Sequence, residues 1–204
     1  MSAHVSGTEG YAQQAETLIE RWRTLSFADR HRPILDWIPR APSRIVDIGA
    51  GIGTDAAALA AMGHTVLAVE PVDALRNAAR ELHRSASIEW LDDSLPDLAL
   101  VLAKPKRATF DAVMLTAVWM HLDACQRERA MPRVASLLRD GGVLIMSLRH
   151  GPVPAGRRMF DVTPDETIRL ASEHGLRLVR ELHTSSAQQA NRDSGVTWTR
   201  LAFR

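Results

Sequence analysis

The chain has 204 residues, of which 46% are hydrophobic and 24% charged, a composition typical of a globular domain with a sizeable core. Its 25 basic residues nearly balance 24 acidic ones, and the net charge of +1 argues against a nucleic-acid partner, because nucleic-acid-binding domains are strongly basic. The single cysteine, Cys125, excludes an intrachain disulfide and a multi-cysteine metal site, and no metal site is predicted. Without a secretory signal or an apolar run of roughly 20 residues, we expect a cytoplasmic protein with no membrane partner.

Short apolar runs alternate with longer amphipathic runs along most of the chain. Two helices are predicted first, within residues 11–38. The apolar runs that follow are continuous, as in strands covered on both faces, and predict strands at Arg44–Ile48, Thr65–Glu70, Ser87–Trp90, Phe110–Thr116 and Gly142–Leu148. Helices are predicted between them at Thr54–Met62, Val72–His83, Pro96–Ala103 and Asp123–Arg139, with glycine caps at Gly63 and Gly141. This alternation predicts an α/β fold with a doubly wound, parallel sheet.

The C-terminal quarter departs from this alternation. Thr163-Pro164-Asp165-Glu166 is a strong helix start, with an N-cap hydroxyl, proline at the first helical position and an acid at the third, and this helix is predicted to stop at Gly175. Two strand-like runs follow, Leu176–His183 and Val196–Phe203, with no crossover helix predicted between them. They are therefore expected to pair as an antiparallel hairpin.

The sharpest motif is Val46-Asp47-Ile48-Gly49-Ala50-Gly51-Ile52-Gly53-Thr54, directly after the first predicted strand. Alternate glycines let the chain turn tightly and let a ligand approach the backbone, and the next helix begins with free N–H groups. The second strand ends at Glu70, where a carboxylate can accept from both hydroxyls of a ribose, and the third leads into Asp92 and Asp93. Because ligands bind at the carboxyl ends of strands in such sheets, the three features together favour an adenosine-containing ligand.

The spacing of the loop helps to choose among adenosine cofactors. Dinucleotide sites usually show G-x-G-x-x-G, whereas here Thr54 stands at the sixth position. Asp47, two residues before the first glycine, suits a ligand with a positively charged amino group and would repel a phosphate. These features favour S-adenosylmethionine over NAD or ATP.

Five segments, in order, resemble the motifs of class I S-adenosylmethionine-dependent methyltransferases. They are IVDIGAGIGTDAAALA, VLAVEPVDALRNAAR, SIEWLDDSLPDL, FDAVMLTAVWMHL and GGVLIMSLRHG. The resemblance covers residues 45–148 and implies a mostly parallel, seven-stranded Rossmann-like sheet with a C-terminal antiparallel hairpin and N-terminal helices. It implies one domain over 1–204, with a helical lid at 1–40, a cofactor-binding core at 41–150, and a substrate loop, helix and hairpin at 151–204.

The resemblance also implies S-adenosylmethionine as the methyl donor, S-adenosylhomocysteine as the product, and roles for individual residues. The glycine loop would cradle the methionine part, Glu70 would hold the ribose, and either Asp92 or Asp93 would meet adenine. Tyr11, the only tyrosine, resembles an aromatic residue of the family's N-terminal lid, and packing on the domain explains it equally well. The expected cofactor-binding residues are Tyr11, Asp47, Gly49, Ala50, Gly51, Gly53, Glu70, Pro71, Asp92, Asp93, Thr116 and Ala117.

Methyl transfer from a sulfonium is an in-line displacement, so the protein must align acceptor and methyl group and exclude water. A base is needed only where the acceptor loses a proton. His121, just beyond the fourth predicted strand, is the candidate catalytic base, and the alternative is that it caps or packs the next helix.

The candidate acceptor site is the segment that begins at Arg149 and His150 and also contains Arg157 and Arg158. It would clamp a carboxylate or phosphate, or it is simply a solvated basic loop. Trp119 would provide an apolar wall. Because the sequence lacks motifs of nucleic-acid and protein-arginine methyltransferases, a small-molecule acceptor is the residual prediction. The alternatives are a non-catalytic protein that binds S-adenosylmethionine and an NAD-type oxidoreductase.

Overall fold

A computed structural model describes residues 5–85, 87–104 and 110–204, in which seven strands form one sheet in the order β3-β2-β1-β4-β5-β7-β6. The strands are β1 Arg44–Ile48, β2 Thr65–Val69, β3 Ile88–Leu91, β4 Phe110–Thr116, β5 Leu138–His150, β6 Leu178–Ser185 and β7 Thr197–Phe203. Strand β7 is antiparallel to both of its neighbours, and the other pairs are parallel. The predicted Rossmann-like sheet with a C-terminal hairpin is confirmed.

Helices cover both faces of this sheet. They are α1 Ala15–Trp22, α2 Phe27–His31, α3 Thr54–Ala61, α4 Asp73–Leu82, α5 Ala99–Ala103, α6 Ala124–Ala135, α7 Pro164–Glu173 and α8 Gln189–Asp193, with 3₁₀ turns at Arg32–Trp37 and Trp119–His121. Buried side chains of α5, α6 and α7 form the core on one face. Those of α2, the first 3₁₀ turn and α3 form the core on the other. Because side chains alternate along a strand, the strands supply apolar residues to both cores.

The predicted boundaries that differ most from the structure are the end of α6 and the start of β5. Helix α6 ends at Ala135 rather than Arg139, because Leu138 already pairs with Phe110 in the sheet. Gly141 is therefore not a helix cap: it lies within β5 with φ +73°. The polar connection of the hairpin contains the short helix α8, which leaves the antiparallel pairing of β6 and β7 intact.

The predicted start of α7 is confirmed and supplies a test of the local energetics. The Thr163 hydroxyl accepts a hydrogen bond from the Glu166 backbone N–H at 3.2 Å, and Pro164 is the first helical residue. We expect Thr163→Ala to lower the free energy of unfolding by about 1 kcal/mol in urea denaturation, because a helix N–H loses its cap. Thr163→Ser keeps the hydroxyl and is expected to stay near wild type. An equal loss in both variants would contradict this role.

Candidate active site

A cavity of about 560 Å³ opens at the carboxyl ends of β1, β2 and β4. Its walls come from the loops that follow these strands, from the N-terminal segment, and from β5 and β7. This volume is in the range of small-molecule sites, roughly 300–1,000 Å³. The position is the one at which open α/β sheets bind ligands.

The glycine loop shapes the floor of this cavity. Gly49, Gly51 and Gly53 all have positive φ angles, of +76°, +58° and +79°. A Cβ atom on Gly49 would lie 2.4 Å from Val118, and one on Gly53 would lie 2.4 Å from Trp90, so packing excludes side chains there. A Cβ atom on Gly51 would meet only Trp22, at 3.4 Å, and Gly51 lines the cavity. The loop therefore presents bare backbone to a ligand at Gly51.

Glu70 ties the loop to the end of β2. Its Oε2 accepts a hydrogen bond from Gly51 N–H and its Oε1 from Val72 N–H, both at 2.8 Å. The side chain lines the cavity but is only 5% exposed. Burial raises the pKa of Glu70 to about 7, although the two backbone bonds and Arg76 favour its charged form. Each carboxylate oxygen keeps a second lone pair for a ligand hydroxyl.

The structure places Asp47 beneath the loop rather than on the cavity wall. It is 1% exposed, and its Oδ2 has no hydrogen-bond partner among the described residues. Burial raises the pKa of Asp47 well above its usual range, and the nearby Asp55 adds to the effect. Asp55 itself pairs with His31 at 2.8 Å and with Arg30 at 3.2 Å, and these two partners hold its pKa low despite burial. One face of the sheet thus carries two neighbouring carboxyl groups with opposite pKa shifts.

The structure distinguishes between the two candidate acids after β3. Asp93 lines the cavity, and its Oδ2 accepts hydrogen bonds from Leu100 and Val101 N–H at 2.8 Å, which caps α5. Asp92 lies outside the cavity-lining residues and instead pairs with Arg76 at 3.2 Å. Of the pair, Asp93 is therefore the one in position to face a ligand.

Tyr11 and His121 are brought together although 110 residues separate them. The Tyr11 hydroxyl lies 3.0 Å from His121 Nε2, and His121 Nδ1 lies 2.8 Å from the Arg158 carbonyl oxygen. Because a carbonyl only accepts, Nδ1 carries the proton, and Nε2 of the neutral ring accepts from Tyr11. Burial lowers the pKa of His121 and raises that of Tyr11, so both are held neutral. Both residues line the cavity. The cavity therefore contains a proton acceptor, His121 Nε2, that is hydrogen-bonded to the Tyr11 hydroxyl.

The basic segment after β5 divides into two parts. Arg149 and Arg157 line the cavity, and the Arg157 guanidinium lies 4.0 Å from the centre of the Tyr11 ring. Arg158 faces elsewhere, because it pairs with Asp123 at 2.8 Å and bonds to Gln126. Two arginines of this segment therefore face the cavity, and the third does not.

Two predicted acceptor residues are not brought to the cavity. Trp119 is fully buried in the core against α6, because the 3₁₀ turn after β4 directs it inward. His150 Nε2 lies 2.8 Å from the Thr199 hydroxyl, so its ring is held against β7. Among the predicted cofactor residues, the cavity is lined by Tyr11, Gly49, Ala50, Gly51, Glu70, Pro71, Asp93, Thr116 and Ala117, while Gly53 supports the loop from behind.

The polar residues of the cavity wall that sequence reasoning missed include Arg30, Ser147 and Arg200. Ser147 and Arg200 are 3% and 5% exposed and lie in β5 and β7. The sequence offers one signal for Arg200, which is an arginine inside the apolar run of the last predicted strand. That Ser147 and Arg200 both face the cavity follows only from the pairing of β5 with β7.

The chain is similar to proteins that are described as methyltransferases. Residues 45–142 match the family described as "Methyltransferase domain". Glycine N-methyltransferase of Oryctolagus cuniculus is 27% identical over 147 residues, which cover 61% of this chain and 50% of that protein. The chain spans about half the length of the curated relatives it matches.

Solved structures share the fold. A TehB-like SAM-dependent methyltransferase of Corynebacterium glutamicum superposes with a TM-score of 0.66 at 21% identity and covers 95% of each chain. The 1,6-didemethyltoxoflavin-N1-methyltransferase of Burkholderia thailandensis, with its substrate and S-adenosylhomocysteine bound, gives 0.65 at 18% identity, covering 94% of this chain and 88% of that one. Within the described residues, no three metal-binding side chains cluster, and no helix is long and apolar enough to cross a membrane.

The raised pKa of Glu70 has a measurable consequence for stability. The folded protein keeps the Glu70 proton up to about pH 7, whereas an unfolded chain releases it near 4.5, so ionisation of Glu70 costs stability as pH rises between these values. We expect this carboxyl to contribute a loss of at most roughly 3 kcal/mol in the free energy of unfolding from pH 5 to pH 8. Glu70→Gln has no such titration, so its stability is expected to fall less over the same range in denaturation at both pH values. Equal pH dependence in the two proteins would contradict the raised pKa.

Proposed function

We propose that the chain is a class I S-adenosylmethionine-dependent methyltransferase, which transfers a methyl group from S-adenosylmethionine to a small-molecule acceptor. The observation that carries the proposal is the bare backbone of Gly51, which lies on the cavity floor beside the Glu70 carboxylate. Together they offer a close approach for a ligand and an acceptor for its hydroxyl groups.

The residues of the cavity fit this cofactor part by part. Glu70 retains lone pairs for the ribose hydroxyls, and Asp93, Ser94 and Leu95 line the cavity where adenine is expected. The Oδ2 of Asp47, which has no hydrogen-bond partner among the described residues, lies below the loop. A cationic amino group bound above the loop would favour the ionised form of this buried carboxyl group. Glu70, Gly51 and the loop would hold the cofactor, which supplies an electrophilic methyl group.

The chain's own contribution to the reaction is to align groups, exclude water and accept a proton. Thr116 and Ala117 line the cavity at the end of β4, and Ala117 N–H donates to the Ser147 hydroxyl at 2.9 Å, which fixes this corner. His121 Nε2 holds no proton and can accept one through Tyr11, whose hydroxyl donates to it. The Arg158 carbonyl fixes the tautomer that makes Nε2 the acceptor.

A small acceptor is supported by the size of the cavity and by relatives. The matched relatives act, by their names, on glycine and on 1,6-didemethyltoxoflavin. Arg149 lines the cavity and is proposed to contact the acceptor. The cytoplasmic location and the lack of a nucleic-acid partner stay predictions from the sequence.

Cofactor binding is tested by filling the space above Gly51. We expect wild type to bind S-adenosylhomocysteine but not NAD in calorimetry, and Gly51→Ala to weaken S-adenosylhomocysteine at least tenfold, because its methyl group would project into the cavity. Gly63→Ala is the matched control, since Gly63 also has a positive φ, +93°, but a Cβ atom added there would meet nothing within 4 Å. Both variants carry left-handed strain of about 1–2 kcal/mol. Equal affinity of the two variants would refute the proposed cradle.

The role of His121 is tested with an acceptor identified by screening metabolite pools for transfer of a labelled methyl group. We expect His121→Ala to lower turnover about a hundredfold or more and S-adenosylhomocysteine affinity less than threefold, because the ring accepts a proton from the acceptor. His150→Ala removes a histidine held outside the cavity and is expected to keep wild-type turnover. Unchanged turnover in His121→Ala would remove this residue from the mechanism. Cofactor binding with no transfer to any pool would instead indicate a protein that binds without catalysis.

A further inference from the structure

A row of polar side chains crosses the sheet at the cavity. In the register, Thr116 of β4 pairs with Ser147 of β5, and Ser147 pairs with Arg200 of β7. Paired residues of neighbouring strands point to the same face, and all three line the cavity. The same face lower in β4, β5 and β7 is apolar, with Met114, Ile145 and Ala202 buried. The polar row is therefore confined to the cavity end of the sheet.

Arg200 in this row is a buried cation without an anionic partner in the described part of the chain. Its Nη2 donates to the Arg30 carbonyl at 2.8 Å and its Nε reaches the Thr184 hydroxyl at 3.4 Å. Among residues 5–85, 87–104 and 110–204, no carboxylate lies within 4.0 Å of its guanidinium. Since arginine has five N–H donors, most of its hydrogen-bonding capacity is left for a ligand.

Burial creates a demand for an anion at this point. It lowers the pKa of Arg200, and the nearby Asp55 offsets this effect in part, while the Arg30 cation works against Asp55. Asp55 is not its partner in the structure, because the ion pairs of Asp55 are with Arg30 and His31 and neither involves Arg200. Buried charges are normally paired, so an unpaired arginine facing a cavity marks a binding position for an oxyanion.

Along the sheet, Arg200 lies away from the strand that leads into the glycine loop, although Arg30, whose carbonyl it contacts, pairs with Asp55 of α3. Strand β7 is three places from β1 in the sheet, or about 14 Å at roughly 4.8 Å between strands. The glycine loop follows β1, whereas Ser147 and Arg149 on β5 lie next to Arg200 and on its side of the cavity. The Ser147 hydroxyl accepts from Ala117 N–H and keeps its own proton to donate.

From this geometry we infer that Arg200 and Ser147 form an oxyanion site, and that the methyl acceptor carries a carboxylate or phosphate group that binds there. The inference rests on the proposed function and defines the class of its acceptor. A planar guanidinium can meet either group with two parallel hydrogen bonds, and the Ser147 hydroxyl adds a third.

The experiment uses the full chain saturated with S-adenosylhomocysteine, so that the cofactor's own carboxylate is already in place. Acetate and inorganic phosphate are titrated in separate arms, with acetamide as the neutral analogue, and binding is followed by calorimetry and by the melting temperature. We expect one of the two anions to bind and acetamide not to bind; the arm that responds identifies carboxylate or phosphate. Arg200→Met is expected to weaken that anion at least tenfold and to change S-adenosylhomocysteine affinity less than threefold.

Control variants separate binding from folding. Arg21→Met removes the same charge from the cavity rim, where Arg21 donates to the Gln188 side chain at 2.8 Å, and is expected to keep anion affinity within twofold. Arg200→Met is expected to melt no lower than wild type, because an unpaired buried charge is removed, whereas loss of a structural arginine would lower the melting temperature. Arg200→Lys keeps the charge and is expected to retain part of the anion affinity.

Three results would overturn the inference: no anion binding by the wild-type complex, equal anion binding by wild type and Arg200→Met, or a loss of S-adenosylhomocysteine affinity in Arg200→Met with anion binding unchanged. The last would assign Arg200 to the cofactor's carboxylate. Failure of wild type to bind S-adenosylhomocysteine would instead count against the proposed function, and is measured separately.

Discussion

The chain must turn between β1 and α3 within five residues while packing against the loop after β4 and against β3, and the cavity is arranged around this turn. Gly49 packs directly against the side chain of Val118, which follows β4, and Gly53 packs against Trp90 of β3. No residue with a Cβ atom fits either contact, and the positive φ angles favour glycine in any case. Glu70 then joins the end of β2 to the same turn through Gly51. The loops after β1, β2 and β4 are thereby fixed relative to one another and to β3 before any ligand binds.

The second half of the site depends on contacts between segments that are distant in sequence. The N-terminal segment reaches the loop after β5 so closely that a Cβ atom on Gly10 would lie 2.4 Å from the Gly156 carbonyl. At the same place the Arg157 guanidinium stacks on Tyr11, whose hydroxyl meets His121. The N-terminal segment and the loop after β5 therefore orient His121 together, because Tyr11 contacts its Nε2 and the Arg158 carbonyl contacts its Nδ1.

Most of the fold could be predicted because its signals are local. The strands β1 and β4 and the start of α7 agree with the sequence prediction, since continuous apolar runs and a capped helix start specify them without distant partners. The glycine loop and Glu70 could be placed for the same reason. Which of Asp92 and Asp93 faces the cavity could not, because it depends on whether a carboxylate caps α5 or pairs with Arg76.

The least predictable part of the site is the polar row, and the reason is physical. A serine or arginine in a strand has a definite face only once the register is known, and the register joins β5 to a strand some fifty residues away. Sequence alone made Arg200 a charge in an apolar run, which costs stability when buried without a partner. The pairing of β7 with β5 places this charge on the wall of the cavity, where an anionic ligand can neutralise it. A natural fold close to its stability threshold retains such a residue where binding compensates for the loss, so the stability penalty at Arg200 and the proposed selectivity for an anionic acceptor are two consequences of one arrangement.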